Sequence, residues 1–349
     1  MANILPIVMD TEFNRVAVID DYKSLIWTIR YYEHGDFELQ VAATSKYVEL
    51  LAAGNYIVRD DDENVGIIEK IDVTITETNE RLITASGRFL TAILQRRIVA
   101  DQTQLNGSVS DGIEQLIDEA IINPDIPDRQ IDNFIIDSYS IADNLEVQYT
   151  GDNLYTVITD LALQYHFGFK VTLNNFHQFV FKLYEGIDRS YNQSTNPYMI
   201  FSDEYENLIN AEFQKDIKGV VTAVLAAGEG EGDTRKTIWV SSDSNPTGLN
   251  RCELYDDNRN ISSNEGEITE EDYYKQLAEN GRADLTTYEA TFAGEVNFNN
   301  VKFKEDVNIG DIVTIESKAL GYQMAARIIE IIESVDASGA YSVIPTFGN

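Results

Sequence analysis

Alternation of apolar and polar positions dominates the start of the chain. In SLIWTIRYYEHGDFELQV, Leu25, Trp27, Ile29 and Tyr31 share one side of a period-two pattern, and Phe37, Leu39 and Val41 resume it after a break. Successive side chains of a strand point to opposite faces, so this spacing predicts a half-buried β-hairpin. His34-Gly35-Asp36 supplies turn chemistry between its arms. A second hairpin is predicted in NYIVRDDDENVGIIEKIDVTI, with the acidic run of residues 60–64 at its tip. RLITASGRFLTAILQRRIV then reads as a strand running through Gly87 into a short helix that carries Phe89, Leu90, Ile93 and Leu94.

The period changes near residue 105. In SDGIEQLIDEAII, Ile113, Leu116, Ile117, Ala120 and Ile121 recur at helical spacing behind a cap at Ser110. Pro124 and Pro127 end that helix, since proline has no amide hydrogen to continue it. DNLYTVITDLALQYHFG predicts a second helix from near Asp152, stopped by Gly168. FKVTLNNFHQFVFKLYEG follows as a hairpin turning at Asn174-Asn175. Strands then return: IKGVVTAVLAAG and TRKTIWVS flank a mobile loop, GEGEGD. A third helix, ITEEDYYKQLAENGRADL, has Thr269 and Asp272 at capping-box spacing and is interrupted at Gly281. The tail alternates strands through TYEATFAGEV, VKFKEDVNIGDIVTI, GYQMAARIIEIIESV and AYSVIPTF, with Gly310-Asp311 marking a tight turn. The fold class expected is α+β, mainly β. One barrel-like β domain spans residues 1–100, completed by about 195–218. An inserted α/β domain covers 101–194. A second barrel-like β domain covers 219–349, with a helix near 269–284.

Composition narrows the function classes. Among 349 residues, 59 Asp and Glu stand against 26 Lys and Arg, a net charge of −33. Such a surface repels phosphate backbones and anionic membranes, so sequence-specific nucleic-acid binding is not expected. Nineteen Tyr and fifteen Phe argue for a folded chain. A single cysteine, Cys252, excludes an intrachain disulfide framework and multi-cysteine metal sites. MANILPIVMDTEFNRV lacks the basic and apolar regions of a signal peptide. No apolar run approaches the roughly 20 residues of a membrane-spanning helix, so stable membrane insertion is not expected.

GEGEGD, residues 228–233, lacks the Gly-Lys-Ser/Thr ending of a phosphate loop, and its acids would repel an anion. Asp60, Asp62 and Asn64 alternate as calcium ligands do, but Val65 and Ile71 stand where that pattern needs Gly and Glu; a solvated hairpin tip is expected. His34 falls in a turn, His166 at a helix end and His177 in a strand, with no zinc-binding spacing among them. Cys252 has no nearby histidine to activate it and reads as an inert structural thiol. No cofactor is expected. The best catalytic candidate is FSDEYENL, residues 201–208, where Asp203, Glu204 and Glu206 lie between Phe201, Tyr205 and Leu208. A glycosidase needs two carboxylates with one kept protonated by an apolar wall. Asp203 and Tyr205 would share one strand face and Glu204 and Glu206 the other. Tyr273 and Tyr274 are expected to pack their helix onto the second barrel; if exposed, they would instead suit a carbohydrate-binding receptor module.

Several segments, in order, resemble a siphovirus tail-hub family: DDYKSLIWTIRYYEHGDFEL, then GRFLTAILQRRI, then the pair LYEGIDRS (183–190) and MIFSDEYENLIN (199–210). The later AENGRADL and NIGDIVTI resemble the C-terminal barrel shared by phage hub and late-control proteins. The resemblance covers most of the chain. It implies a structural protein, not an enzyme: a homotrimeric ring at the distal end of the tail, similar in layout to the baseplate hubs of contractile-tailed phages. Two barrel-like domains per subunit would match threefold to hexameric symmetry. The implied partners are other copies of the chain, the tail tube or distal tail protein, the tape-measure protein and a separate spike, fibre or hydrolase chain. Within this resemblance, Gly186, Asp188 and Arg189 belong to the first diagnostic motif. In the second, Phe201 and Leu208 are expected as core anchors, with Ser202 and Asn207 satisfying backbone groups where the insertion returns to the first barrel. The rival reading is a tail-associated cell-wall hydrolase using carboxylates in 201–206.

Overall fold

The computed structural model describes residues 4–76, 79–137, 139–242, 244–263, 268–286, 289–296, 301–319 and 321–348. The chain is mainly β. Its largest sheet orders Leu208–Asp216, Glu289–Val296, Tyr341–Gly348, Tyr322–Val335, Ser24–Arg30, Asp36–Ala42, Arg81–Arg88 and Lys70–Ile75. Ile312–Ser317 also pairs with Tyr322–Val335, and Ile200–Ser202 lies parallel to Ile312–Ser317.

Tyr322–Val335 is the shared element. Its first half pairs with Ile312–Ser317, while its second half lies between Ser24–Arg30 and Tyr341–Gly348. One strand therefore serves two cores. The first gathers Trp27, Phe37 and Phe89 beneath the opening hairpin, with Trp27 4.5 Å from Phe89 and 6.0 Å from Phe37 between ring centroids. The second gathers Phe201, Leu208, Val313, Ile328 and Phe347. Both hairpins and the Gly87 strand-to-helix passage form as the periodicity predicts. A four-stranded sheet of Arg15–Val18, Ile7–Met9, Tyr56–Arg59 and Asp62–Ile67 covers the first core.

The segment expected to complete the first barrel pairs elsewhere. Ile200–Ser202 and Leu208–Asp216 join Ile312–Ser317 and Glu289–Val296, so residues 195–218 are built into the C-terminal strands. Residues 221–286 stand apart from the large sheet. There Thr237–Ser241, Ala223–Ala227 and Glu253–Asp257 form a three-stranded sheet covered by helix Glu270–Ala283. Strand partners are non-local, and hydropathy patterns carry no record of them.

The core of the α/β insertion, built on helices Val109–Ile117 and Leu154–Tyr165 and strands Gly168–Leu173 and Phe179–Tyr184, is continuous with Ile7, Met9, Val58, Val65 and Ile67 of the four-stranded sheet. Local details differ from expectation. Ser108, not Ser110, caps the first helix by accepting the Asp111 amide at 3.1 Å; Ser110 is buried and donates to the Ile141 carbonyl. The second helix ends on His166 in the left-handed region, φ 60°, and Gly168 already begins the next strand. Gly281 does not interrupt the third helix. A Cβ there would lie 3.0 Å from Ala226 Cβ and 3.2 Å from Val240, so glycine lets the helix sit close on its sheet. Residues 287 and 288 of the predicted strand TYEATFAGEV lie outside the described residues.

Candidate functional site: a joint of the insertion and the C-terminal strands

LYEGIDRS and NIGDIVTI lie side by side. Gly310 turns the chain at φ 90°, a conformation that favours glycine. A Cβ on Gly186 would stand 1.9 Å from the Gly310 carbonyl oxygen, so the two backbones touch through these glycines. Ile312 then donates its amide to the Ile187 carbonyl at 3.0 Å, and Arg189 donates its own to the Ile312 carbonyl at 2.7 Å.

Asp311 closes the joint from within. Its carboxylate, 2% exposed, accepts the Ile187 amide at 2.8 Å, Arg189 Nε at 2.9 Å and the Asn308 amide at 3.1 Å. A buried carboxylate is tolerated when paired and hydrogen-bonded in this way. Asp188 accepts the Ser190 amide at 2.8 Å, shaping the loop beyond. On the other side Arg327 donates to the Gly310 carbonyl at 2.7 Å and lies over the Tyr31 ring. Tyr31 donates to the His166 carbonyl at 3.1 Å; burial raises its hydroxyl to about 12, against the opposing charge of Arg327. The opening hairpin, the insertion and the C-terminal strands therefore meet at one point.

FSDEYENL lies close by. Phe201 and Leu208 are buried, with Phe201 5.1 Å from Phe347 between ring centroids. Asn207 staples the ends of the segment: its Oδ1 accepts the Ser202 amide at 2.9 Å and its Nδ2 donates to the Ile200 carbonyl at 2.6 Å. Ser202 Oγ accepts the Glu204 amide at 3.2 Å. Residues 203–206 form a turn, with Glu206 at φ 53°, not the continuous strand that would sort Asp203 and Tyr205 onto one face. All four side chains of that turn are exposed, and Glu204 pairs with Lys318 at 2.9 Å. Among the described residues no apolar wall encloses the acids.

A second buried charge escaped sequence reasoning. Arg59 and Glu333, 0% and 3% exposed, pair at 2.9 Å, with Arg59 over the Trp27 ring and Tyr341 donating to Glu333 at 2.5 Å. Burial alone would raise the Asp61 carboxyl, but its bond to Arg59 holds it below the ordinary carboxylate value. One signal was legible: Glu333 occupies the same strand face as buried Ile331 and Val335. Beside this pair a cavity of about 600 Å³ opens between the acidic hairpin tip and residues 303–311. Several of its charges are paired within the chain: Glu63 with Lys170 and Lys182, and Asp62 with Lys304.

The remaining candidates are scattered. Of the acidic run only Asp60 and Asp61 form the tip; Asp62 and Asn64 begin the returning strand, where Asn64 donates to Asp62. The Asp62 side chain, also paired with Lys304, and Asn64 are buried rather than solvated. His34 and His166 are pushed below the ordinary imidazole value by burial, and His177 lies in a turn at φ 57° rather than in a strand. Among the described residues, no three acidic, histidine or cysteine groups come together to hold a metal ion. Cys252 is exposed on the small unit. GEGEGD is tied rather than loose: Lys236 and Ser263 bind Glu229, drawing its carboxyl down to about 2 against the effect of burial. Tyr273 is fully buried and accepts the Glu229 amide at 2.7 Å, so it offers no face to a glycan. No helix among the described residues is long and apolar enough to cross a membrane.

Comparison with known proteins agrees with this architecture. The model of the family described as Siphovirus ReqiPepy6 Gp37-like protein matches residues 5–349. Among curated proteins none matches in sequence. Three solved structures share the fold. A tail protein of Neisseria meningitidis MC58 is 13% identical with a TM-score of 0.58, covering 99% of this chain and 97% of that one. Prophage tail protein gp18 of Listeria monocytogenes EGD-e is 14% identical at 0.56, covering 99% and 94%. The 43 kDa tail protein of prophage MuSo2 from Shewanella oneidensis is 13% identical at 0.56, covering 98% of each.

Proposed function

We propose a trimeric hub role, from the premise that the chain belongs to the Siphovirus ReqiPepy6 Gp37-like family and is a phage tail protein. In this reading three copies form a ring that closes the distal end of the tail tube and adapts hexameric symmetry to a threefold tip. The carrying observation is the family match across residues 5–349, which leaves little of the chain for a separate catalytic domain. Partners are other copies, the tube or distal tail protein, the tape-measure protein and a separate spike, fibre or hydrolase.

Two features of the fold support assembly. The large sheet ends on Lys70–Ile75, where Val73 and Ile75 are 60% and 61% exposed. The four-stranded sheet ends on Arg15–Val18, where Val16 and Val18 are also exposed. Open edge strands carrying β-branched apolar residues invite pairing with another chain. The hydrolase reading has less support, because Asp203, Glu204 and Glu206 sit on an open turn. In the ring, part of the −33 charge faces the channel, so that DNA and the tape-measure protein pass without adhering. Lysine in place of channel carboxylates should slow ejection in a salt-dependent way; a neutral or basic channel in a solved ring would refute the charge argument.

Antibody labelling of intact virions tests the location. Label at the distal end of the tail fits the hub; label along the tube or at the head contradicts it.

A further inference from the structure

A cavity of about 210 Å³ opens where the short helix Leu90–Arg96 meets the four-stranded sheet and the insertion. Leu90, Ile93, Ile131 and Phe179 give it apolar walls, and Arg96 and Arg97 complete its lining. Arg97 is fixed by backbone: its Nε donates to the Arg129 carbonyl at 2.8 Å and its Nη1 to the Arg96 carbonyl at 3.0 Å. Arg129 is fixed likewise, with Nη2 donating to the Ile98 carbonyl at 2.6 Å. Arg96 is exposed, and its guanidinium donates no hydrogen bond among the described residues.

These three cations lack carboxylate partners. None of them forms an ion pair among the described residues, in a chain that carries 59 acids. The charged groups that act on Arg97 are Arg129 and Arg96; burial, the larger effect, and these two cations draw it below the ordinary arginine value. Glu69 senses Arg96, yet its two oxygens are taken by Arg88 at 2.6 and 2.7 Å. Asp101 and Glu119 border Arg129 across a narrow crevice without pairing with it, and Glu119 accepts from Thr103 and Gln115 at 2.7 Å each. Like charges held together without a counter-ion cost free energy, which carboxylates brought from outside would recover.

FSDEYENL offers the complementary surface. On its open turn Tyr205 is 51% exposed between exposed Asp203, Glu204 and Glu206, with Lys318 paired to Glu204. A cavity of about 150 Å³ holds a benzene ring, so the pocket has room for the Tyr205 phenol. Tyrosine and arginine are also the side chains that most often anchor protein contacts. Two copies of a chain at −33 repel one another overall, so a contact between them needs local opposite charge, and these two surfaces supply it. Turn and pocket are different patches, which makes the contact head-to-tail, the kind that closes into rings.

We propose that the turn at residues 203–206 of one copy docks in the arginine-lined pocket of the next, with Tyr205 in the apolar cavity and the flanking carboxylates on Arg96, Arg97 and Arg129. This contact rests on the trimeric ring proposed for the tail and gives that ring its seam.

Light scattering over a concentration series reads the midpoint of self-association. Arg96→Glu should raise that midpoint at least about tenfold, and so should Glu206→Lys, since each sets like charges against each other. Combining the two in one chain should return the midpoint to within about threefold of the original. Tyr205→Ala, which alters no charge, should raise it about tenfold or more. All three side chains are exposed, so far-UV circular dichroism should not change. A photo-cross-linker in place of Tyr205 should capture residues 90–97 of another chain. An assembly that either reversal leaves intact, or that the combined chain fails to restore, overturns this contact and leaves the trimer standing; so does a cross-link that lands elsewhere. A chain that stays monomeric throughout overturns both.

Discussion

Arg189 Nε lies 2.9 Å from Asp311 Oδ2, with side chains 14% and 2% exposed, and this pair locks the returning insertion onto the C-terminal strands. Truncating one member of a buried ion pair leaves the other uncompensated, typically at about 3–5 kcal/mol. Arg189→Ala should therefore destabilise the chain by about 3 kcal/mol. Asp311→Ala should cost more, since it also strands the Ile187 and Asn308 amides. Urea midpoints of both variants check the order.

Asn207 should matter far more than its acidic neighbours. Asn207→Ala strands the Ser202 amide and the Ile200 carbonyl, at about 1–3 kcal/mol for each buried group left unpaired. Asp203→Asn and Glu206→Gln alter an exposed turn and should shift stability by less than about 0.5 kcal/mol. Thermal melts of the three variants separate these effects. Loss of a wall-hydrolysing activity in the two acid variants would restore the enzyme reading.

At the glycine contact, any side chain collides with backbone. Gly186→Ala would place its Cβ 1.9 Å from the Gly310 carbonyl oxygen. Backbone cannot yield as a side chain can, so a loss above about 4 kcal/mol is expected, read as insoluble expression or a collapsed melting transition. Gly219→Ala, with nothing within 4 Å of its Cβ, serves as the mild control.

Glu63 gives the acidic hairpin tip a pH signature. Burial would raise its carboxyl, but Lys170 and Lys182 outweigh that and hold it below the ordinary 4.5. A depressed carboxyl stabilises above 4.5, and its contribution is lost as pH falls below that value. Amide protection factors at the tip and along Gly168–Leu173, taken against the intrinsic exchange rate at each pH, should fall below pH 4.5, and Glu63→Gln should remove much of that acid dependence.

Local structure was largely legible in the sequence. Trp27 and Phe37 announced the hairpin by alternation, and Thr269 announced its helix by capping chemistry. Errors came where two residues could play one part. Ser108 and Ser110 both suit a cap, and left-handed geometry was met by His166 ahead of Gly168. Tertiary partnership was less accessible. Nothing near Ser202 in sequence says that it lies beside Glu316, and nothing near Arg189 names Asp311. The joint was visible as two motifs, but their meeting depends on strand pairings more than a hundred residues apart, and so does the Arg59–Glu333 pair.

The native mass of the purified chain, measured by light scattering across micromolar concentrations, tests the hub most directly. The account predicts a stable species at three times the 39.3 kDa chain mass. A strict monomer that hydrolyses cell wall would contradict it.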